Sequence, residues 1–285
     1  MSGFFKLSFR QDNIVGLIVD AGDVLKIGIV GLGVVGNAIY ENFRGAHEIF
    51  IHDLSMGTSI RDVTNNCDFA YICVPTPTDI NSGCCDVSAI ESTLGEMPDG
   101  FSVAIKSTII PGTTQALKKK YPEIKIACSP EFLRAAHSVE DFKNQKMLVV
   151  GTDDYKLSKT ILNHHLDSGI DVLKAFFVVT PAQAEIVKYA MNTFYALKVL
   201  FGNKFQELTE IMGEDWSKIK QIITFPRDRG IIDTHLEDMG NKGFGGHCLP
   251  KDAFAFSKLL DDHGIDSNLI RTILSENRKY RKETE

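Results

Sequence analysis

The sequence holds no Cys-x-x-Cys pair, no histidine spacing of the zinc-ligand kind and no basic cluster of five or more residues. Its six cysteines, at 67, 73, 84, 85, 128 and 248, read mostly as small buried apolar groups. That usage points to a reducing, cytoplasmic compartment and to no metal site. Lys and Arg number 31 against 37 Asp and Glu, giving a net charge of -6, the wrong sign for neutralising phosphates along a strand. Nucleic acid is thereby excluded as a partner. No apolar run approaches the length that crosses a bilayer, so no membrane association is expected. The first 24 residues lack a signal-peptide layout, because Asp20 and Asp23 interrupt the apolar stretch. They are expected to form an N-terminal extension.

What is present is alternation. Short Val- and Ile-rich runs occur at 25–30, 48–52, 69–74, 102–106, 124–128 and 146–150, with helix-like stretches such as NAIYENF and TTQALKKKY between several of them. This predicts an α/β fold, a Rossmann-type doubly wound parallel sheet, over 25–179. From 180 onward the pattern turns helical. Thr180 is placed to cap, and Pro181 to open, a long helix running to about Gly213. A smaller helical domain is expected over 180–285, with a loop from about Phe225 to His247.

KIGIVGLGVVG puts Gly31, Gly33 and Gly36 in G-x-G-x-x-G spacing after a strand and before a helix. Gly31 suits a tight turn, Gly33 the close approach of a pyrophosphate, and Gly36 close helix–strand packing. Leu32, Val34 and Val35 complete the loop, and its helix start faces the phosphates. Asp53, ending the next strand, suits the adenosine ribose and disfavours a 2′-phosphate, so the cofactor predicted is NAD. Three polar loops, PTPT (75–78), STIIPGTT (107–114) and SPEFLR (129–134), fall at the same strand ends and are expected to line a cleft.

Two further stretches carry chemistry. In AEIVKYAMNTF, Lys188 and Asn192 share a helix face, and two donors fixed there could meet an oxygen that gains negative charge. In GFGGHCLPKD, Cys248 precedes a helix opened by Pro250, with Lys251 beside it. The helix dipole and the ammonium are expected to favour thiolate, while Gly243, Gly245 and Gly246 would let a substrate approach the backbone. A thiol beside a nicotinamide suggests capture of an aldehyde between two oxidations, ending in an acid.

The ordered set KIGIVGLGVVG, CVPTPTD, KSTIIPGTT, SPEFLR, AEIVKYAMNTF and GFGGHCLPKD resembles the UDP-glucose/GDP-mannose dehydrogenase family over residues 26 to about 280. The resemblance implies four-electron oxidation of a nucleotide sugar to its uronic acid with NAD. It implies Cys248 as nucleophile, Lys188 and Asn192 as oxyanion donors, and Asp252, Glu131 and Thr108 as water-positioning or base residues. It also implies Thr76, Thr78, Ser107, Thr108 and Lys251 as cofactor contacts. Phe132, Leu133, Gly245 and Arg229 would contact substrate, the arginine supplied across a dimer interface, and the long helix would form that homodimer.

Three features depart from the family pattern. Family members usually continue into a second Rossmann-like domain beyond the point where this sequence stops, Ala135 stands where many carry an acid, and Lys204 follows Asn203 where an acid is common. Three other readings stay open: a GDP-mannose dehydrogenase, a two-electron hydroxyacid dehydrogenase, and an inactive NAD-binding subunit that needs a partner chain.

Overall fold

A computed structural model describes residues 25–79, 85–224, 242–246 and 248–281. The extension expected over 1–24 lies outside the described residues, as does Arg229. The strands are β1 (Lys26–Val30), β2 (Glu48–His52), β3 (Phe69–Ile72), β4 (Ser102–Ile105), β5 (Lys125–Cys128), β6 (Leu148–Gly151) and β7 (Phe176–Val179). They form one seven-stranded sheet in the order β2-β1-β3-β4-β5-β6-β7. Alternate residues feed opposite faces, as the strand period requires. Ile27, Ile29, Tyr71 and Ala104 pack in one core with Phe43 and Ile161. Val30, Ala70, Ile72, Val103 and Ile105 pack in a second core with Ile90, Leu94 and Leu117. Both faces are thus covered, as a doubly wound sheet demands.

The sheet departs from the expected all-parallel form at one place. β5 and β6 meet antiparallel through Cys128 and Gly151, whereas every other neighbouring pair is parallel. Parallel pairing needs a crossover, usually a helix of some length. The 129–147 connection offers only a 3-10 turn (Ala135–His137) and the six-residue helix α5 (Ser138–Lys143). β6 and β7, by contrast, are joined through the 13-residue helix α6 (Tyr155–Asp167) and run parallel.

The helices before α5 are α1 (Val34–Phe43), α2 (Ile60–Thr64), α3 (Ser88–Gly95) and α4 (Thr113–Lys120). After β7 comes α7 (Pro181–Ile211), 31 residues long. Thr180 caps it by accepting from the Gln183 N–H, and the Thr180 N–H donates to Gln183 Oε1 at 3.0 Å. α8 (Trp216–Ile223), α9 (Leu249–Asp262) and α10 (Asn268–Arg278) follow. Ala196, Val199 and Leu200 of α7 form a third core with Phe244, Ala253, Ile270 and Ile273.

α7 is fastened to the sheet at its start. Glu185, fully buried, accepts from the N–H groups of Gly112 (2.6 Å) and Thr114 (2.8 Å) and from the Thr114 hydroxyl (2.6 Å). It thereby satisfies the free donors that open α4. Desolvation still raises the Glu185 carboxyl above its ordinary range, against the pull of these bonds. Gly151 lets α7 press close: a Cβ there would stand 2.7 Å from that of Ala184.

Candidate active site

The glycine loop is shaped by contacts that tolerate no side chain at two positions. Gly31 has φ +91°, and an added Cβ would lie 2.8 Å from the Cys73 carbonyl oxygen. A Cβ on Gly36 would lie 1.9 Å from the Gly31 oxygen. Gly33, just before α1, has nothing within 4 Å of such a position and faces open space at the helix start. Asp53 ties this loop to the end of β2: one oxygen accepts from the Leu32 N–H at 2.7 Å and the other from the Ser55 N–H at 2.9 Å. Led by the Leu32 bond, these contacts lower its carboxyl and keep it anionic. Val34 lies exposed at the first turn of α1.

A cleft of about 970 Å³ opens beside this loop. Val35, Thr76, Thr78, Ser107, Thr108, Glu131, Gly245, Cys248 and Lys251 all line it. Short bonds brace the rim loops against one another. The Thr76 hydroxyl donates to the Thr108 carbonyl at 2.7 Å, and the Ser107 hydroxyl to the Val74 carbonyl at 2.6 Å. Thr78 keeps a buried hydroxyl with no protein partner. The open space at Gly33 and this orphaned hydroxyl fit a dinucleotide laid along the rim. Gly31, Leu32, Gly33 and the N–H groups opening α1 would hold its phosphates, and Asp53 its ribose.

Lys188 and Asn192 lie on the buried face of α7, behind the cleft lining. Lys188 donates to the Glu131 carbonyl at 2.6 Å and to its Oε1 at 3.2 Å. Desolvation pulls the Lys188 ammonium down, but Glu131 and Asp252 outweigh it and raise the group. Asn192 donates to Oδ2 of the wholly buried Asp252 at 2.6 Å. Lys251 Nζ stands 2.8 Å from the other Asp252 oxygen, an ion pair without the angles of a hydrogen bond. The two α7 donors therefore do not converge on one vacant point. Each is engaged with its own carboxylate, and a substrate oxygen would have to use the hydrogens left over.

The expected thiolate is corrected. Cys248 stands at the start of α9 and is exposed as a residue, yet its thiol is raised above the ordinary range. Desolvation of the sulfur is the largest cause. Lys188 lowers it, Asp252 and Glu131 raise it, and Lys251, the cation read from the sequence, has the smallest effect. The glycines near it are also partly reassigned. Cβ atoms on Gly243 and Gly245 would strike Asn277 and Arg281, at 2.7 and 2.5 Å, so these glycines make room for the last turn of α10 and for Arg281 beyond it. Gly246, with φ +70°, faces open space.

Phe132 and Leu133 stand behind Glu131, outside the cleft lining. The Leu133 N–H donates to Glu131 Oε2 at 2.8 Å, and Lys188 Nζ lies 5.7 Å from the centre of the Phe132 ring. The sequence reading missed Lys106, Cys73, Phe254, Leu274, Arg278 and Arg281, all of which line the cleft. Lys106 closes an apolar strand and reads as its solvent end, yet it is 2% exposed. Among the described residues no helix is long and apolar enough to cross a membrane.

The chain matches two family descriptions: UDP-glucose/GDP-mannose dehydrogenase family, NAD binding domain, over residues 46–165, and the central domain of the same family over 182–279. It is 30% identical to a UDP-glucose 6-dehydrogenase of Rickettsia prowazekii across 84% of this chain and 51% of that protein. It is 24% identical to a GDP-mannose 6-dehydrogenase of Azotobacter vinelandii across 95% of this chain and 64% of that protein. A solved UDP-glucose dehydrogenase from Pyrobaculum islandicum is similar with TM-score 0.77 and 25% identity, over 93% of this chain and 70% of that one. The chain spans about half the length of the Rickettsia relative it matches.

Proposed function

The chain belongs to the UDP-glucose/GDP-mannose dehydrogenase family, whose first domain binds NAD, and we propose that it oxidises a nucleotide sugar, UDP-glucose first, to the uronic acid through Cys248. The observation that carries this reading is one cleft lined by Cys248, Glu131, Thr108 and Lys251 beside the glycine loop. NAD, when bound, supplies an acceptor for each of two hydrides. The sugar's primary alcohol first loses a hydride and a proton to become an aldehyde. The Cys248 sulfur adds to that carbon, and the resulting thiohemiacetal loses the second hydride and a proton to give a thioester. Water then attacks, the C–S bond breaks, and acid and free thiol leave.

Each group in the chain has a part in this scheme. Lys188 and Asn192 support the oxygen on which charge develops, through the hydrogens that Glu131 and Asp252 leave free. Glu131 takes the proton of the attacking water and Thr108, which also lines the cleft, places that water, while Asp252 acts from behind the lining by holding Asn192 and Lys251. Because the thiol is raised in the free chain, its proton must leave during attack on the aldehyde, and Lys188 is the cation that most favours this loss. The same reading divides the chain at 179/180, keeps it in the cytoplasm and makes it a homodimer through α7. Phe194, Phe201, Phe205, Leu208 and Ile211 support the dimer, since they leave a large apolar stripe exposed along one side of that helix.

The test is stoichiometric. Purified chain with UDP-glucose and NAD should release about two NADH per sugar, and Cys248→Ser should form no acid. One NADH per substrate would favour a two-electron dehydrogenase. NAD binding with no turnover on a panel of sugar nucleotides would favour an inactive subunit, and faster turnover of GDP-mannose would reassign the sugar.

A further inference from the structure

Lys106 is the least expected group in the cleft wall. It follows β4 directly, is 2% exposed, and lines the cleft beside Cys73 and Glu131. An ammonium has three hydrogens to place. The hydrogen bond Lys106 makes is to the Ser129 hydroxyl, at 3.3 Å. Around it stand the rings of Tyr71 and Phe142, their centres 5.9 and 6.0 Å from Nζ. No carboxylate lies within ion-pairing distance of it among the described residues.

Such an arrangement is costly to a fold. A buried cation held by one long bond to a neutral hydroxyl destabilises a fold, and a methionine would fill the same aromatic enclosure at less cost. Groups of this kind persist where a site needs the charge. Ser129 leads directly into the Ser-Pro-Glu loop that carries Glu131, so the hydrogen bond that Lys106 makes among the described residues is to the loop that holds the proposed base.

We propose that Lys106 is a positioning residue, a cation set in the cleft floor that holds Glu131 and its loop in place for the water-dependent release of the acid. The proposal deepens the function given above and rests on it for the identity of that step. The titratable groups close enough to act on Lys106 come from every neighbouring element: Tyr71 and Cys73 from β3 and its end, Cys128 from β5, Glu131 from the following loop, His165 from α6 and Lys188 from α7. Desolvation is the largest effect and lowers the ammonium to about 8, with the Glu131 carboxylate pulling the other way. Cys73 is itself pushed up to about 12 by burial and is a neutral thiol beside it. The charge of Lys106 is therefore present below about pH 8 and lost above it.

Two measurements test this on the full chain. In the first, lysine side chains are labelled with carbon-13. The Lys106 resonance is identified by its low midpoint and by its loss in Lys106→Met. It should titrate near 8 in the unaltered chain and at lower pH in Glu131→Gln, because that carboxylate raises it. An unchanged midpoint overturns the proposal, whatever substrate the chain proves to use. In the second, NADH formation is followed in rapid mixing with UDP-glucose. Lys106→Met should keep the first, fast hydride phase, slow acid release by at least about tenfold, and lose the fall in rate above pH 8. Its melting temperature should equal or exceed that of the unaltered chain. A normal rate and pH profile in Lys106→Met would sink the proposal, as would equal loss of both phases or a fall in melting temperature. Absence of NADH from the unaltered chain would sink the functional reading instead and leave the titration to decide on Lys106.

Discussion

Asn192 donates its side-chain amide to Asp252 at 2.6 Å, and this bond crosses from α7 to α9 in the buried interior. Asp252 has no exposure to solvent, so its charge is carried by Asn192 on one oxygen and Lys251 on the other. Removing the amide leaves a buried carboxylate half-satisfied, at a cost of about 1–3 kcal/mol. Asn192→Ala should therefore lower the melting temperature, read by circular dichroism, and reduce turnover. Unchanged stability would mean that Lys251 alone suffices for Asp252.

The glycine loop separates two kinds of damage. Gly36→Ala drives a Cβ to 1.9 Å from a backbone oxygen, where nothing flexible can yield, and should cost about 2 kcal/mol or more of stability. Gly33 has an extended backbone and no neighbour to strike, so Gly33→Ala should melt normally. Calorimetry should nevertheless show NAD affinity reduced by more than about tenfold, because the methyl fills the space left for the pyrophosphate. Normal NAD binding by Gly33→Ala would contradict the cofactor placement.

Cys248 should be slow to alkylate at neutral pH. Its thiol lies above the ordinary range, chiefly through desolvation, so iodoacetamide labelling should accelerate as pH rises past that range. Lys188 is the strongest influence in the opposite direction, and Lys188→Met should move the profile further up. Mass spectrometry of the peptide, with Cys248→Ser as control, reads the rate. A labelling profile centred near neutrality would contradict the thiol's raised position.

Acid should weaken the sheet through two histidines. Burial lowers His164 well below the ordinary range and His165 to about 3, so both stay neutral in the folded chain. The unfolded chain binds protons at these sites below about pH 6.5, which favours unfolding there. Stability is fully present above that pH and falls by roughly 1 kcal/mol per histidine by pH 5.5. Melting curves at pH 7.5 and 5.5 measure the loss. His165→Phe, which can keep the stacking on Phe142, should halve it.

The exposed side of α7 gives a test of assembly. Phe201 and Phe205 lie with ring centres 4.8 Å apart, both substantially open to solvent. Sedimentation should show a dimer for the unaltered chain and a monomer for Phe201→Glu/Phe205→Glu, with unchanged helical content. A monomer in both would remove α7 as the interface.

Six of the seven strands were legible because Val and Ile runs bounded by polar turns leave little choice of structure, and the glycine loop because its spacing follows one run and opens a helix; β7 was not among the predicted runs. The reversal at β6 was hidden, since the runs look alike whichever way a strand points. The thiol was misread because sequence shows the helix start and Lys251 but not the desolvation or the carboxylates of Glu131 and Asp252 that gather round the sulfur. Lys106 escaped notice for the same reason. A lysine at the end of a strand looks solvated until the neighbouring strand, loop and helix close over it.

Glu185 anchors the start of α4 from α7, and the bare Gly151 lets the same helix press onto the sheet. The joint between α7 and the sheet is therefore pinned at two points. Lys188, one turn further along, rides on that joint, so its distance from the nucleotide rim is fixed when the chain folds.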